Sequence, residues 1–227
     1  MTTEPEPLLG DAPIAWSDES EWVLEARQDR SRLTMRKIMD AALALFKRKG
    51  FEATTVADIA ALADIAPGSI YRRFSDKDGL LFAVADSYYA TRVREFDRLV
   101  AAQFDRAESV AEILALYNRV IFSAYRKDAG LIRLMERRAL VDAEMRRKVL
   151  QNTSHVADRI AGCLSRLRPN VPGDSIHERM STWHNILHNT LVMTLLADDG
   201  EPSPPLSIDD PQLEADMLAL LRTWFLL

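Results

Sequence analysis

Apolar residues along this chain of 227 residues recur at three- and four-residue steps, the period of helices that bury one face. The first clear stripe is Met35, Ile38, Ala42, Leu45 and Phe46, which predicts a helix over residues 31–49. Lys47, Arg48 and Lys49 suit the negative end of its dipole, and Gly50 can take the left-handed conformation that stops it. Thr55 then reads as the N-cap of a short helix over residues 56–63, with Asp58 completing a capping box and Val56, Ile59 and Ala60 facing inward. Asp64, Ile65 and Ala66 form a break. Pro67 biases Ala66 away from helical geometry and suits a first helical position, so a second short helix is expected over residues 67–74. Ser75 is the expected cap of a longer helix reaching residue 102, with Asp78 as its capping acid.

Five further helices follow in the pattern, over residues 109–127, 130–137, 141–167, 174–197 and 211–226. Pro169 and Pro172 mark one break, and Gly200, Pro202, Pro204 and Pro205 another. Asp210 before Pro211 is a cap followed by a first-turn proline. Alternating Val/Ile runs are scarce, so the expected fold is all-α. Residues 1–26 carry Pro5, Pro7 and Pro13 and seven acids, and are expected to be a mobile acidic tail. Its end is expected to turn helical near residues 17–20, with Trp22, Leu24 and Ala26 resting on the body. The expected division is therefore 1–26 tail, 27–80 helix-turn-helix domain and 81–227 helical domain.

Charge changes the picture only when it is resolved along the chain. The net charge is -5. Residues 24–80 hold eleven Lys and Arg against eight Asp and Glu, a net +3, which leaves -8 for the rest. A mildly basic segment on an acidic body is permissive for nucleic acid. The acidic start is unlike a secretory signal, and no uncharged run approaches the length of a membrane span, so a soluble cytoplasmic protein is expected. Cys163 is the single cysteine. It cannot form an internal disulfide, excludes a multi-cysteine zinc module and reads as a small buried hydrophobe.

Two short helices with a tight break, braced by a preceding helix, have the geometry of a helix-turn-helix. On the second of them Ile70 and Phe74 share one face. Gly68 and Arg72 lie roughly opposite, flanked by Ser69 and Tyr71. Gly68 lets the backbone approach a phosphate or base edge, while Arg72 and Arg73 supply charge. The start of the following helix, with Lys77, is favourable for an anion.

The stretch Thr54-Thr55-Val56-Ala57-Asp58-Ile59-Ala60, followed by Pro67-Gly68-Ser69-Ile70-Tyr71-Arg72-Arg73-Phe74-Ser75-Asp76-Lys77, resembles the TetR family of bacterial regulators. The likeness covers about residues 30–81. It implies that Thr55 and Lys77 bind phosphate, that Pro67, Ser69 and Tyr71 face the major groove, and that Tyr71 and Arg73 lie near the DNA backbone. Arg72 stands where members vary, which points to sequence specificity. Two positions depart from the family pattern: Asp64 stands where glycine is usual, and Ala66 where a Ser or Thr cap is usual. Losing that cap costs on the order of 1 kcal/mol.

The resemblance further implies a homodimer on a double-stranded DNA operator and a small-molecule effector of unspecified identity. Candidate pocket residues are Tyr117, Ile121 and Tyr125, with Cys163, Trp183 and Leu187. Leu114, Phe122, Val156 and Ile160 are further candidates, and all are equally readable as core. The last two helices would form the dimer interface, with His184, His188, Leu213, Met217, Leu220 and Trp224 as candidates. His177, His184 and His188 fall within about 40° on one helix face, a seam more suited to a pocket or interface than to a metal ion. No metal or cofactor is expected. An enzyme is not expected either, since Glu-x-x-His pairs, phosphate-binding glycine loops and nucleophile motifs are all missing.

Overall fold

The computed structural model describes residues 14–16, 20–24, 29–197 and 207–226. Their regular structure is helical: α1 (Asp29–Lys49), α2 (Val56–Leu62), α3 (Gly68–Tyr71), α4 (Lys77–Ala102), α5 (Val110–Lys127), α6 (Ala129–Val141), α7 (Ala143–Leu167), α8 (Gly173–Leu196) and α9 (Pro211–Leu226), with a 3-10 turn at Phe104–Arg106. The fold is all-α, as the periodicity predicts. No helix among the described residues is long and apolar enough to cross a membrane.

The chain divides into two compact units. One takes residues 14–91 and 130–148, the other residues 92–129 and the chain from 149 onward. This differs from a boundary at residue 80, because the first turns of α4 and the α6–α7 segment join the helix-turn-helix.

In the first unit the α1 stripe is buried throughout (Met35, Ile38, Ala42, Leu45 and Phe46), as are Ile59, Ile70, Phe74, Leu81 and Val84, and α1 packs on α2 and α2 on α3. Gly130 begins α6 beside the end of α1. A Cβ there would stand 3.2 Å from the Lys47 carbonyl oxygen, so only glycine fits without displacement. Arg138 of α6 pairs with Asp78 at 2.7 Å.

Several helix ends fall elsewhere than the pattern suggests, each for a local reason. α3 closes at Tyr71 because its last turn tightens, with Arg73 N–H donating to Ile70 O at 2.8 Å. Asp76, not Ser75, caps α4, accepting from Gly79 N–H at 2.7 Å. α6 runs on to Val141, and Asp142 provides the break by accepting from the Glu144 and Met145 amides at 2.9 and 3.0 Å to start α7.

Residues 20–24 form a turn where a helix was expected. They and residues 14–16 are docked on the first unit, so the expected mobile tail does not extend over them. Ala15 N–H donates to Thr91 Oγ1 at 3.0 Å, Trp16 Nε1 to Asp40 at 2.5 Å and Ser20 Oγ to Asp86 at 2.7 Å. Residues 1–13, 17–19 and 25–26 of the expected tail, Ala26 and the expected helix start at 17 among them, lie outside the described residues.

In the second unit, α9 packs on α5 and α8. Arg126 fastens α5 to α9, donating to Ile208 O at 2.8 Å and pairing with Glu214 at 2.6 Å, while Asn118 Nδ2 donates to Glu214 O at 3.0 Å. A buried ion pair joins Arg92 of α4 to Asp128 at the α5–α6 corner, with Nε to Oδ2 at 3.1 Å and side-chain exposures of 8% and 2%. Arg92 also pairs with Glu95. Removing one partner of such a pair leaves a desolvated charge behind. Asp128→Asn is expected to lower unfolding free energy by about 2–3 kcal/mol, measured by urea denaturation, and no loss would refute this role for the pair.

Candidate nucleic-acid interface

The sequence makes α2 start where it does. Thr55 Oγ1 accepts from Asp58 N–H at 3.1 Å and donates to Asp58 Oδ2 at 2.7 Å, while Thr55 N–H donates to the same carboxylate at 2.9 Å. The expected capping box is therefore complete. Lys49, from the end of α1, adds an ion pair to Asp58 at 2.7 Å. The hydrogen bond from Lys49, then those from Thr55, hold the Asp58 carboxyl well below the usual carboxylate range.

The turn into α3 is built around Asp64, whose φ of 54° lies in the left-handed region. Asp64 N–H donates to Ala61 O at 3.3 Å and Ile65 N–H to Ala60 O at 3.0 Å, the two bonds of a Schellman closure. Glycine is the usual residue at such a position, and aspartate is among the few others that tolerate it. At the start of α3 no side chain caps the helix, so Ala66 leaves unfilled the role that a Ser or Thr would take.

α3 presents its two faces as the wheel predicts. Ile70 and Phe74 are buried, and Tyr71 is 55% exposed. Pro67, Gly68 and Arg72 are exposed too, and Gly68 has open space where a Cβ would stand. Ser69 organises the two arginines: Arg72 Nη2 donates to its hydroxyl at 3.0 Å and Arg73 Nη1 to its carbonyl at 2.9 Å. Burial, then the neighbouring Arg72, lowers the Arg73 pKa from its ordinary value.

Lys77 does more than the pattern suggests. Its Nζ donates to Phe51 O at 2.9 Å and Thr54 O at 3.0 Å, and stands 4.1 Å from the centre of the Phe51 ring. It therefore ties the start of α4 to the α1–α2 loop. Thr54, which the motif quoted without a role, is fully buried and donates to Gly50 O at 2.6 Å. Nothing in the spacing distinguishes a lysine that binds carbonyls from one that awaits a phosphate.

The remaining candidates lie in the second unit. Tyr117, Ile121, Cys163, Trp183 and Leu187 are buried and Tyr125 half-buried. Tyr117 OH bonds His184 Nδ1 at 2.7 Å, and Tyr125 OH bonds His188 Nδ1. Burial pushes the Tyr117 pKa up, His184 down to about 3 and His188 down to about 4. Burial thus disfavours the charged form of both imidazoles, and each pairs with a phenol through Nδ1. Burial first, then the charge of Asp105, raises the Cys163 thiol to about 11, and Cys163 Sγ lies 3.6 Å from Asp105 Oδ1. A surface groove of about 360 Å³ opens between Gln103, Arg106, Leu116 and Arg119, and none of the six expected pocket residues borders it.

The expected interface set separates. His184, Leu213 and Met217 are buried inside the single chain and His188 is half-buried. Leu220 at 57% and Trp224 at 37% exposure remain on the surface of α9. On α8 the exposed apolar residues are Ile186 and Met193, which the periodicity analysis passed over. Their seven-residue spacing opposite Leu187 and Leu191 was the available signal. His177 points away to Asp158, 3.4 Å distant. Among the described residues no group of three or more His, Cys, Asp or Glu could hold a metal ion.

These features define a helix-turn-helix protein. Residues 38–84 match the family described as "Bacterial regulatory proteins, tetR family", so the helix-turn-helix segment is similar to the DNA-binding domain of that family. It is 36% identical over 94 residues to the HTH-type transcriptional repressor KstR of Mycolicibacterium smegmatis, covering 41% of this chain and 40% of that one. The chain spans between 30% and 56% of the length of the curated relatives it matches. A solved Mesorhizobium loti chain assigned to the TetR family shares the fold with a TM-score of 0.68 at 21% identity, over 87% of this chain and 98% of that one. FadR of Bacillus subtilis, solved in complex with stearoyl-CoA, has a TM-score of 0.58 at 18% identity, over 82% and 96% of the two chains. The curated relatives are named as transcriptional regulators or repressors.

A carboxylate whose folded pKa is depressed contributes stability above its unfolded pKa and loses it as pH falls. Wild-type stability is therefore expected to decline below about pH 4, and Asp58→Asn to show a shallower decline over the same acid limb. Parallel acid unfolding curves for the two proteins would refute the assignment.

Proposed function

We propose that the chain is a sequence-specific DNA-binding regulator, a repressor released from a palindromic operator by a small-molecule ligand. The observation that carries this reading is α3: a four-residue helix with Ile70 and Phe74 buried and Pro67, Gly68, Tyr71 and Arg72 outward. An exposed tyrosine beside an arginine, on a helix whose own stability depends on its buried face, suits a major-groove reading element. Ser69 orients Arg72, and Arg73 and Lys77 add positive charge near the phosphates. Thr55 contributes by fixing α2 and by its place at the start of that helix. The names of relatives such as KstR support the repressor reading.

The working form is a homodimer, with reading helices about 34–36 Å apart to meet successive turns of DNA. The exposed apolar residues Ile186 and Met193 on α8 and Leu220 and Trp224 on α9 support it, because several large apolar side chains exposed on two packed helices suit an interface. The effector is bound in the second unit, where Tyr117, Ile121, Tyr125, Cys163, Trp183 and Leu187 are the candidate lining. It lowers operator affinity by its differential affinity for the two states and no more. A cytoplasmic location follows from this role. The FadR complex with stearoyl-CoA supports effector binding by this fold.

Selection of random duplex DNA by the purified protein tests the core of the reading. Wild type is expected to enrich a palindrome, Tyr71→Ala to lose it, and Arg72→Ala to prefer a different sequence. A folded wild-type protein that enriches nothing at low salt would overturn the DNA reading, and identical profiles for Arg72→Ala and wild type would overturn the specificity role. For the dimer, Met193→Asp combined with Leu220→Asp is expected to yield monomers by sedimentation. A double variant that remains dimeric would place the interface elsewhere.

A further inference from the structure

Ser20 to Leu24 precede α1 and lie outside the matched domain, yet three elements of the first unit hold them. Leu24 N–H donates to the carbonyl of Arg73 at 2.7 Å, at the end of the tightened α3 turn. The contact is made through the backbone, since the Leu24 side chain is 49% exposed. The Trp22 ring stacks on Phe82 of α4, with centroids 4.6 Å apart and planes 23° apart. It also lies 3.9 Å from where a Cβ on Gly79 would stand, so the first turn of α4 is open to it. Ser20 Oγ donates to Asp86 at 2.7 Å, and the same carboxylate pairs with Lys148 of α7, whose side chain is 8% exposed. Val23 is buried between these anchors.

A helix of four residues has no self-sufficient hydrogen-bond ladder, and the carbonyls of its last turn need partners from outside. Ile70 and Phe74 fix the depth of α3 in the core. They leave the turn from Arg72 to Asp76 to be fixed by other contacts, and the bond from Leu24 is one of them. We propose that Ser20–Leu24 is a brace for the reading helix, with Trp22 and Leu24 as positioning residues that set how Tyr71 and Arg72 are presented to DNA. The inference rests on the DNA reading of α3. Through Asp86 and Lys148 the brace also joins the end of α3 to the start of α7 by a route outside the helix-turn-helix itself.

The test uses the full chain and the duplex that wild type selects. Leu24→Pro removes the donated N–H and is expected to weaken binding about three- to tenfold, whereas Leu24→Ala keeps it and stays within about twofold. Trp22→Ala is expected to weaken binding and to blur preference at the bases read by Tyr71 and Arg72, with the melting temperature and dimer retained. Trp22→Phe, which keeps a ring against Phe82, is expected to restore both. Hydrogen exchange on the wild type needs no variant: the Leu24 amide is expected to be protected like that of Phe74, which donates to Ile70 O at 2.9 Å. A freely exchanging Leu24 amide would overturn the brace. So would folded Leu24→Pro and Trp22→Ala proteins that bind and discriminate as wild type does, and in that case the DNA reading stands. Failure of the wild type to select any sequence overturns the DNA reading and the positioning role together.

Discussion

Burial of Ile70 and Phe74 is the constraint on which the first unit turns. A four-residue helix is far below the length at which an isolated helix persists in water, so α3 exists only because its apolar face is held in a core. That core requires the α1 stripe to be complete, α2 to start at the correct residue, and α4 to start just beyond Phe74. The polar contacts around it serve these requirements. Thr55 and Asp58 set the first turn of α2, Lys77 draws the α1–α2 loop to α4, and Asp76 begins α4. The outward residues Tyr71 and Arg72 are left free of structural duty apart from the short bond from Arg72 to Ser69.

Asp64 shows how a departure from a pattern is accommodated. Its left-handed backbone has the same two closing bonds that a glycine would make, so the turn survives with a residue that pays a moderate steric penalty. What changes is the surface, which gains a carboxylate in the turn between the two short helices. Asp58, at the other end of α2, is paired with Lys49. Asp64 therefore acts as the exposed negative charge of the turn, and tempers a segment whose net charge is only mildly positive.

Much of this was legible in the sequence because it is local. The α1 stripe, the capping box at Thr55 and the split faces of α3 all depend on residues within a few positions of one another. What was not legible depends on distance along the chain. Lys77 meets carbonyls 23 and 26 positions away, and Leu24 meets Arg73 across 49. Neither leaves a periodic trace. Helix ends shifted where two residues competed for one cap, as at Ser75 and Asp76, because either side chain satisfies the same rule and only the backbone path decides. His184 and His188 were legible as a seam, but not its direction: the wheel fixes which residues share a face and cannot say whether that face looks inward.

The direction of that seam is informative. On α8 the histidines turn inward to Tyr117 and Tyr125, while Ile186 and Met193 turn outward. A helix on a free monomer surface would be expected to place these groups the other way round, since buried polar groups need partners and exposed apolar groups gain nothing from water. The inner arrangement is satisfied within the chain by the two phenol–imidazole bonds, while burial disfavours the charged form of both histidines. The outer apolar side chains stay exposed among the described residues. Leu220 and Trp224 on α9 do likewise, so both of the last two helices carry apolar side chains outward. A self-complementary surface made from two copies of these helices would cover them without altering the polar pairs behind, which is why the symmetric dimer is the economical reading of this end of the chain.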